Sequence, residues 1–103
     1  MQSIYLKFYL TEKQKFGSYL LHEWILEQAK HIGISGGSVF RSIAGFGRHG
    51  NLHSETFIEL GGELPIQVEF VLDQIQADEL IAKLRECELN IRYVIYPVTA
   101  GVV

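Results

Sequence analysis

The residues best suited to bind an anion lie where an extended run gives way to a glycine-rich stretch, at Gly45, Gly47 and Arg48. Glycine lets backbone amides come close to an anion, and a guanidinium can bind a phosphate or carboxylate through two parallel hydrogen bonds. With Gly50, the spacing also satisfies the dinucleotide pattern G-x-G-x-x-G. That pattern requires a helix to begin at the loop, and the residues that follow carry no helical period. The sequence therefore argues against a Rossmann nucleotide site and leaves two interpretations of the loop. It is either an anion-binding site, or a structural bulge made by the glycines beside a solvated arginine.

Three side chains just beyond this loop are of types that bind metal ions, namely His49, His53 and Glu55. Imidazole and carboxylate groups suit zinc or copper. A His-x3-His spacing aligns two ligands only on a helix, and this stretch shows no helical period. We therefore interpret the three residues as solvated side chains of a loop and assign no metal site.

Composition limits the classes of protein to which the chain can belong. Its 103 residues are 48% hydrophobic and 20% charged, which is typical of one folded domain spanning residues 1–103. A net charge of −3 and scattered basic residues argue against a nucleic-acid partner. Cys87 is the single cysteine, and no apolar run reaches the roughly 18 residues that span a membrane. With no signal-peptide pattern at the start, we expect a cytoplasmic protein without membrane insertion.

The candidate loop must be positioned by regular elements, and hydrophobic periodicity predicts six of them. Strands are expected at residues 3–10, 38–44, 66–72 and 91–96, and helices from Ser18 to Gly33 and from Asp73 to Cys87. Ser18 is a candidate N-cap and Gly33 a candidate stop for the first helix. Asp73 with Gln76 predicts a capping box for the second helix, and Pro97 is expected to end the last strand.

The resulting order, βαββαβ, predicts an α+β fold of the ferredoxin-like type. We expect an antiparallel four-stranded sheet with both helices on one face. A long insert then lies between the second and third strands, and it contains the candidate anion-binding loop. Long loops in compact domains are usually functional.

The sheet face without helices is also apolar, because Tyr5, Tyr9, Val71 and either Tyr93 or Val94 are predicted to lie on it. An uncovered apolar face indicates an interface. The sequence therefore predicts an oligomer, with the apolar tail that follows the last strand helping to cover this face.

Several segments together resemble one family. They are the helix end Gly33–Gly37, the strand residue Arg41, the stretch Ala44–Gly47 and the later stretch Glu59–Pro65. A ferredoxin-like chain with these features resembles the nitrogen regulatory PII proteins, and more closely the PII-like "domain of unknown function 190" family. The resemblance covers essentially the whole chain.

The resemblance implies a homotrimer that senses a small ligand in clefts between subunits. Gly47 and Arg48 are then candidates for the ligand cleft, together with the neighbouring Gly45. Residues 48–64 correspond to the mobile T-loop, in which His49, His53 and Glu55 would contact a regulated partner. Partners in that superfamily include membrane transporters and metabolic enzymes.

The chain also departs from the PII pattern, because Cys87–Asn90 replaces a longer glycine- and lysine-rich phosphate loop. A nucleoside triphosphate needs several positive charges or aligned amides, so the small anionic ligand is not assigned to ATP and no cofactor is identified. Two alternatives remain. One is a metal-binding trimer resembling the copper-tolerance family, which would use the loop histidines. The other is an acylphosphatase-like enzyme, which we disfavour because no catalytic group can be placed, and we therefore expect a protein that is not an enzyme.

Overall fold

The computed structural model describes residues 2–46, 52–54 and 65–103. The predicted insert at 48–64 therefore lies outside the described residues, apart from Leu52–Ser54. The elements, in chain order, are β1 (Gln2–Thr11), β2 (Lys15–Phe16), β3 (Tyr19–Leu20), α1 (Leu21–Ile32), β4 (Gly37–Arg41), β5 (Ala44–Phe46), β6 (Leu52–Ser54), β7 (Pro65–Leu72), α2 (Gln74–Glu86) and β8 (Arg92–Thr99). Within these described ranges, no helix is both long and apolar enough to cross a membrane.

The main sheet has the strand order β4-β7-β1-β8, and all its neighbours are antiparallel. Alternate residues of β1 and β7 point to the core, which also contains one stripe from each helix. The buried members are Leu6, Phe8, Leu10, Ile66, Val68, Phe70 and Leu72 from the strands, Leu21, Ile25, Ala29, Ala77, Leu80 and Leu84 from the helices, and Ile34 from the turn after α1. The predicted ferredoxin-like sandwich with two helices on one sheet face is confirmed.

The first helix begins later than the sequence predicts. Ser18 is not its N-cap, because Gly17 adopts a left-handed φ of 62° and turns the chain into a short hairpin that pairs Phe16 with Tyr19. Helix α1 starts at Leu21, after an N-cap Leu20 whose side chain makes no capping hydrogen bond. Its end is as predicted, since Gly33 takes a left-handed φ of 95° and donates its N–H to the helix carbonyls.

The start of α2 confirms the predicted capping box. The Gln76 N–H donates to Asp73 Oδ1 at 2.8 Å, and the Asp73 N–H donates to Gln76 Oε1 at 3.2 Å. These two bonds satisfy donors that the first helical turn would otherwise leave unpaired.

The predicted strand over residues 38–44 is interrupted. β4 ends at Arg41, and β5 begins at Ala44 and pairs with β6 in a separate two-stranded ribbon. At the break, the Ser42 N–H donates to the Pro65 carbonyl at 2.9 Å, and the Arg41 guanidinium forms an ion pair with Glu12. These contacts tie the two ends of the predicted insert to the sheet.

The last strand continues past the proline that was expected to end it. β8 runs to Thr99, and Pro97 lies opposite Ile4 of β1. A proline lacks the N–H for a ladder bond, and it is tolerated here because β8 lies at the edge of the sheet.

The register assigns residues to the sheet face without helices, which we name the open face. Tyr5 lies opposite both Val71 and Tyr96, and Lys7 lies opposite Val94. Tyr93 instead pairs with the core residue Phe8, so it lies on the helix side, and Val94 is the residue on the open face. The tail after β8 is exposed.

Candidate functional site

Two of the predicted site residues are brought together by the ribbon. Gly45 lies on β5 directly opposite His53 on β6. Gly47, Arg48, His49 and Glu55 lie outside the described residues. The ribbon therefore places one predicted ligand-binding residue beside one predicted partner-contacting residue, at the base of the insert.

Packing does not explain the glycine at position 45. A Cβ added to Gly45 would meet no atom within 4 Å, and its φ is not in the left-handed region. In the described part of the chain, neither a close contact nor a special backbone angle requires glycine there. A role for Gly45 in ligand approach stays a prediction.

The described residues also form a groove that was not predicted from the sequence. It has a volume of about 470 Å³ and lies at one end of the open face. We name it the glycine groove, and its lining includes Tyr5, Ser35, Gly36, Ser38, Glu69 and Val71. These residues come from β1, from the turn between α1 and β4, from β4 itself and from β7. The groove thus combines an exposed backbone turn, an aromatic ring and a carboxyl group.

Gly37, the first residue of β4, lets this wall of the groove pack closely on the core. It pairs with Phe70 on β7, and a Cβ added to it would lie 2.6 Å from Phe70 Cδ1 and 3.2 Å from Leu26 Cδ2. Since Phe70 is buried in the core, the ring cannot easily move aside. Glycine therefore lets the start of β4 lie this close to the side chains of Phe70 on β7 and Leu26 on α1.

The carboxyl group of Glu69 is the distinctive chemical group of the groove. Its neighbours across the sheet are Ser38 and Lys7, but within the described residues it forms no hydrogen bond or ion pair. Partial burial removes water from the group and raises the pKa of Glu69 above its ordinary value. The group can accept a hydrogen bond from a ligand N–H or O–H, and it opposes a phosphate placed directly beside it.

Aromatic rings give the open face its apolar character. The rings of Tyr5 and Tyr96 stack with centroids 5.1 Å apart, and Lys7 Nζ lies 5.5 Å from the Tyr5 centroid. Phe40, which also lines the glycine groove, has 54% of its surface exposed. A planar ligand or a second protein surface could cover these rings.

Sequence reasoning missed the groove because its residues come from three distant segments. One residue could have indicated the groove from the sequence, because Glu69 is the single acidic residue in the otherwise apolar or neutral strand β7. Gly36 and Gly37 were also noted, but as a family feature and not as a wall of a site.

Of the three residues considered as metal ligands, only His53 lies within the described residues. No group of three or more His, Cys, Asp or Glu side chains that could hold a metal occurs in the ranges 2–46, 52–54 and 65–103. His49 and Glu55 are not in those ranges, and His53 is described as part of β6.

Comparisons with known proteins agree with this architecture. The family model of DUF190, described as "Uncharacterized ACR, COG1993", matches residues 3–99. A UPF0166 protein from Methanocaldococcus jannaschii is 34% identical over 85 residues, which are 82% of this chain and 78% of the relative. A UPF0166 protein from Aquifex aeolicus is 26% identical over 80 residues, which are 78% of this chain and 76% of the relative.

Among solved structures, one similar fold is that of CPII, a nitrogen regulatory PII-like protein from Thiomonas intermedia K12, bound to ADP, AMP and bicarbonate. The two chains are 12% identical with a TM-score of 0.73, and the match covers 99% of this chain and 91% of CPII. At this identity the likeness concerns the fold.

Proposed function

This chain belongs to the DUF190 family and has the PII-like fold, and from this premise we propose that it is a homotrimeric sensor of a small ligand. The ligand would change the conformations of the segment at about residues 48–64. That segment would in turn bind and regulate a protein partner, for which a membrane transporter or a metabolic enzyme is the expected class.

The observation that carries the proposal is the position of the glycine groove at one end of the open face. A second copy packed against Tyr5, Val71 and Tyr96 would cover an aromatic and aliphatic surface that the helices leave exposed. The same copy would close the groove from the side. Ligand binding and subunit packing would then depend on one another.

The groove favours an adenine nucleotide with few phosphates as the ligand. Glu69 can accept from the exocyclic amine or from a ribose hydroxyl, and the rings of Tyr5 and Phe40 offer surfaces for the base. Arg48, with the backbone at Gly45 and Gly47, is the proposed phosphate contact. Because the Cys87–Asn90 turn supplies no lysine or glycine, we expect AMP or ADP to bind more tightly than ATP.

The regulatory step requires only a modest free energy. A ligand that shifts loop conformers from 1:99 to 99:1 must favour one state by about 5.5 kcal/mol. One hydrogen bond to a charged group contributes about 1.5–3 kcal/mol, so Arg48 and a few backbone amides can supply that amount. A partner that binds one conformer of residues 48–64 would then respond to the ligand concentration.

Isothermal titration calorimetry with AMP, ADP, ATP and bicarbonate tests this proposal. We expect AMP or ADP to bind, and Arg48→Ala to weaken that binding by about tenfold or more. Arg48→Lys should restore it only in part, since an ammonium lacks the planar fork of a guanidinium. Lys83→Ala removes an exposed positive charge on α2 and serves as the matched control. If neither nucleotides nor bicarbonate bind, or if Arg48→Ala binds like the Lys83→Ala control, the proposed site is wrong.

A further inference from the structure

A second cavity lies on the other side of the sheet, between α2 and the edge strand β8. We name it the helix-edge cavity. It has a volume of about 390 Å³, and its apolar lining consists of Phe8, Ile81, Leu84, Leu89, Ile91 and Tyr93. Small-molecule sites typically have volumes of about 300 Å³ or more, and their linings are mostly apolar with a few polar groups. In size and lining, this cavity meets that description.

The apolar part of the cavity includes one ring that the helix leaves partly uncovered, that of Tyr93. α2 ends at Glu86, and beyond it Tyr93 on the edge strand keeps 39% of its surface exposed although it lies on the core side of the sheet. The rings of Phe8 and Tyr93 are 6.3 Å apart between centroids and inclined at 56°. They form an angled wall against which an aliphatic or aromatic side chain can pack.

The rim of the cavity carries one positive and one negative side chain, Arg85 and Glu88. Among the described residues, these two groups form no ion pair with each other or with any other side chain. A backbone hydrogen bond joins the two residues, because the Glu88 N–H donates to the Arg85 carbonyl at 3.0 Å. Opposite charges beside one apolar cavity fit a ligand that carries both charges itself.

The backbone at the rim supports a binding role. Glu88 and Asn90, which both line the cavity, have left-handed φ values of 55° and 51°. Glycine is the residue that adopts this conformation without cost, and a glutamate there carries a conformational penalty. Glycine at position 88 would relieve the penalty and remove the carboxylate from the rim. Position 88 therefore combines a left-handed backbone with a charged side chain.

We propose that the helix-edge cavity binds an apolar α-amino acid as its zwitterion. The α-carboxylate pairs with the Arg85 guanidinium, the α-ammonium pairs with the Glu88 carboxylate, and the aliphatic or aromatic side chain packs against Phe8, Leu84 and Tyr93. Glycine and polar amino acids lack the apolar group that fills the cavity. This site lies on the opposite face of the sheet from the glycine groove. It includes residues of the Cys87–Asn90 turn, but none of the proposed nucleotide contacts uses a side chain of that turn, so the two proposals can be tested separately.

Calorimetric titration with L-phenylalanine and L-leucine tests the class of ligand. Each analogue removes one recognition element: 3-phenylpropanoate lacks the ammonium, 2-phenylethylamine lacks the carboxylate, and glycine lacks the side chain. We expect at least one of the two amino acids to bind, and the analogues of L-phenylalanine to bind about tenfold or more weakly. Absence of binding by both amino acids at about 10 mM overturns the proposal, as does equal binding of either single-charge analogue.

Charge-neutral variants test the placement of the ligand. Arg85→Gln and Glu88→Gln should each weaken binding of the amino acid by about tenfold. Lys83→Gln and Glu86→Gln make the same charge changes at exposed positions on α2 that do not line the cavity, and they should bind like wild type. Equal losses in the lining and control variants would show that net charge, and not the cavity, determines binding. Arg85 and Glu88 are exposed, so these variants should fold, and unchanged unfolding midpoints would verify this.

Discussion

Replacing Gly37 by alanine is expected to destabilise the protein, because β4 approaches its neighbours too closely for a side chain. The added Cβ would lie 2.6 Å from Phe70 Cδ1 and 3.2 Å from Leu26 Cδ2. Contacts below about 3.0 Å force one of the partners to move. Phe70 is only 2% exposed and packs edge-on against Phe8 at a centroid distance of 6.4 Å, so a shift of its ring disturbs the centre of the core.

The size of the effect follows from the cost of overpacking a core. Inserting a methyl group into a well-packed interior typically costs about 1–3 kcal/mol. For a domain of this length, each kcal/mol lowers the melting temperature by roughly 4–8 °C. Urea denaturation monitored by circular dichroism should therefore show a lower midpoint with an unchanged slope.

Gly36 provides a matched control one residue away. A Cβ at Gly36 meets nothing within 4 Å, and its φ is not left-handed, so Gly36→Ala should leave stability unchanged or raise it by about 0.4–1 kcal/mol. Shortening the obstructing ring with Phe70→Leu should make the Gly37→Ala change less costly in the double variant than in wild type. The reasoning is refuted if Gly37→Ala unfolds at the wild-type midpoint, or if both alanine variants lose the same stability.

Two further predictions concern the open face and its groove. Tyr5→Asp places a charge in the Tyr5–Tyr96 stack. If the proposed trimer forms, sedimentation analysis should give wild type a mass of roughly 35 kDa, three times 11.7 kDa, and the variant the mass of one chain. Tyr19→Asp, at a 60% exposed position, should keep the wild-type mass, and a wild-type protein of monomer mass would contradict the proposed trimer. Glu69→Gln should stabilise the protein at neutral pH, because burial raises the pKa of Glu69 and the ionised carboxylate destabilises the fold above that pKa. This gain should shrink as the pH falls through the raised pKa, where the folded protein takes up the proton, and a gain that is equal at all pH values would be inconsistent with desolvation as its cause.

Local patterns were enough to predict most of the scaffold. Alternation in β1 and the Asp73–Gln76 capping box are properties of neighbouring residues, and both are found as expected. Ser18 was a wrong N-cap prediction because serine is also common in turns, and here it follows the left-handed Gly17 in a hairpin. The predicted end of the last strand at Pro97 was wrong because a sequence does not show which strand lies at the edge of the sheet.

The candidate site was less predictable, because it depends on register and on contacts between distant segments. The choice between Tyr93 and Val94 on the open face is settled only by the pairing of Phe8 with Tyr93. The glycine groove joins Tyr5, Gly36 and Glu69, which are separated by more than thirty positions along the chain in each step. No periodic pattern in the sequence indicates that these three residues are close in space.

The hydrogen bond between the Ser42 N–H and the Pro65 carbonyl, at 2.9 Å, has a consequence for how the family can diversify. It holds the two ends of the segment 43–64 together at the sheet, so the scaffold is closed independently of what lies between them. Loop-closure entropy rises only logarithmically with length, and doubling a flexible loop costs about 0.6 kcal/mol. Insertions or deletions between these anchors should therefore have little effect on folding, so the length of the segment can change while the core stays unchanged.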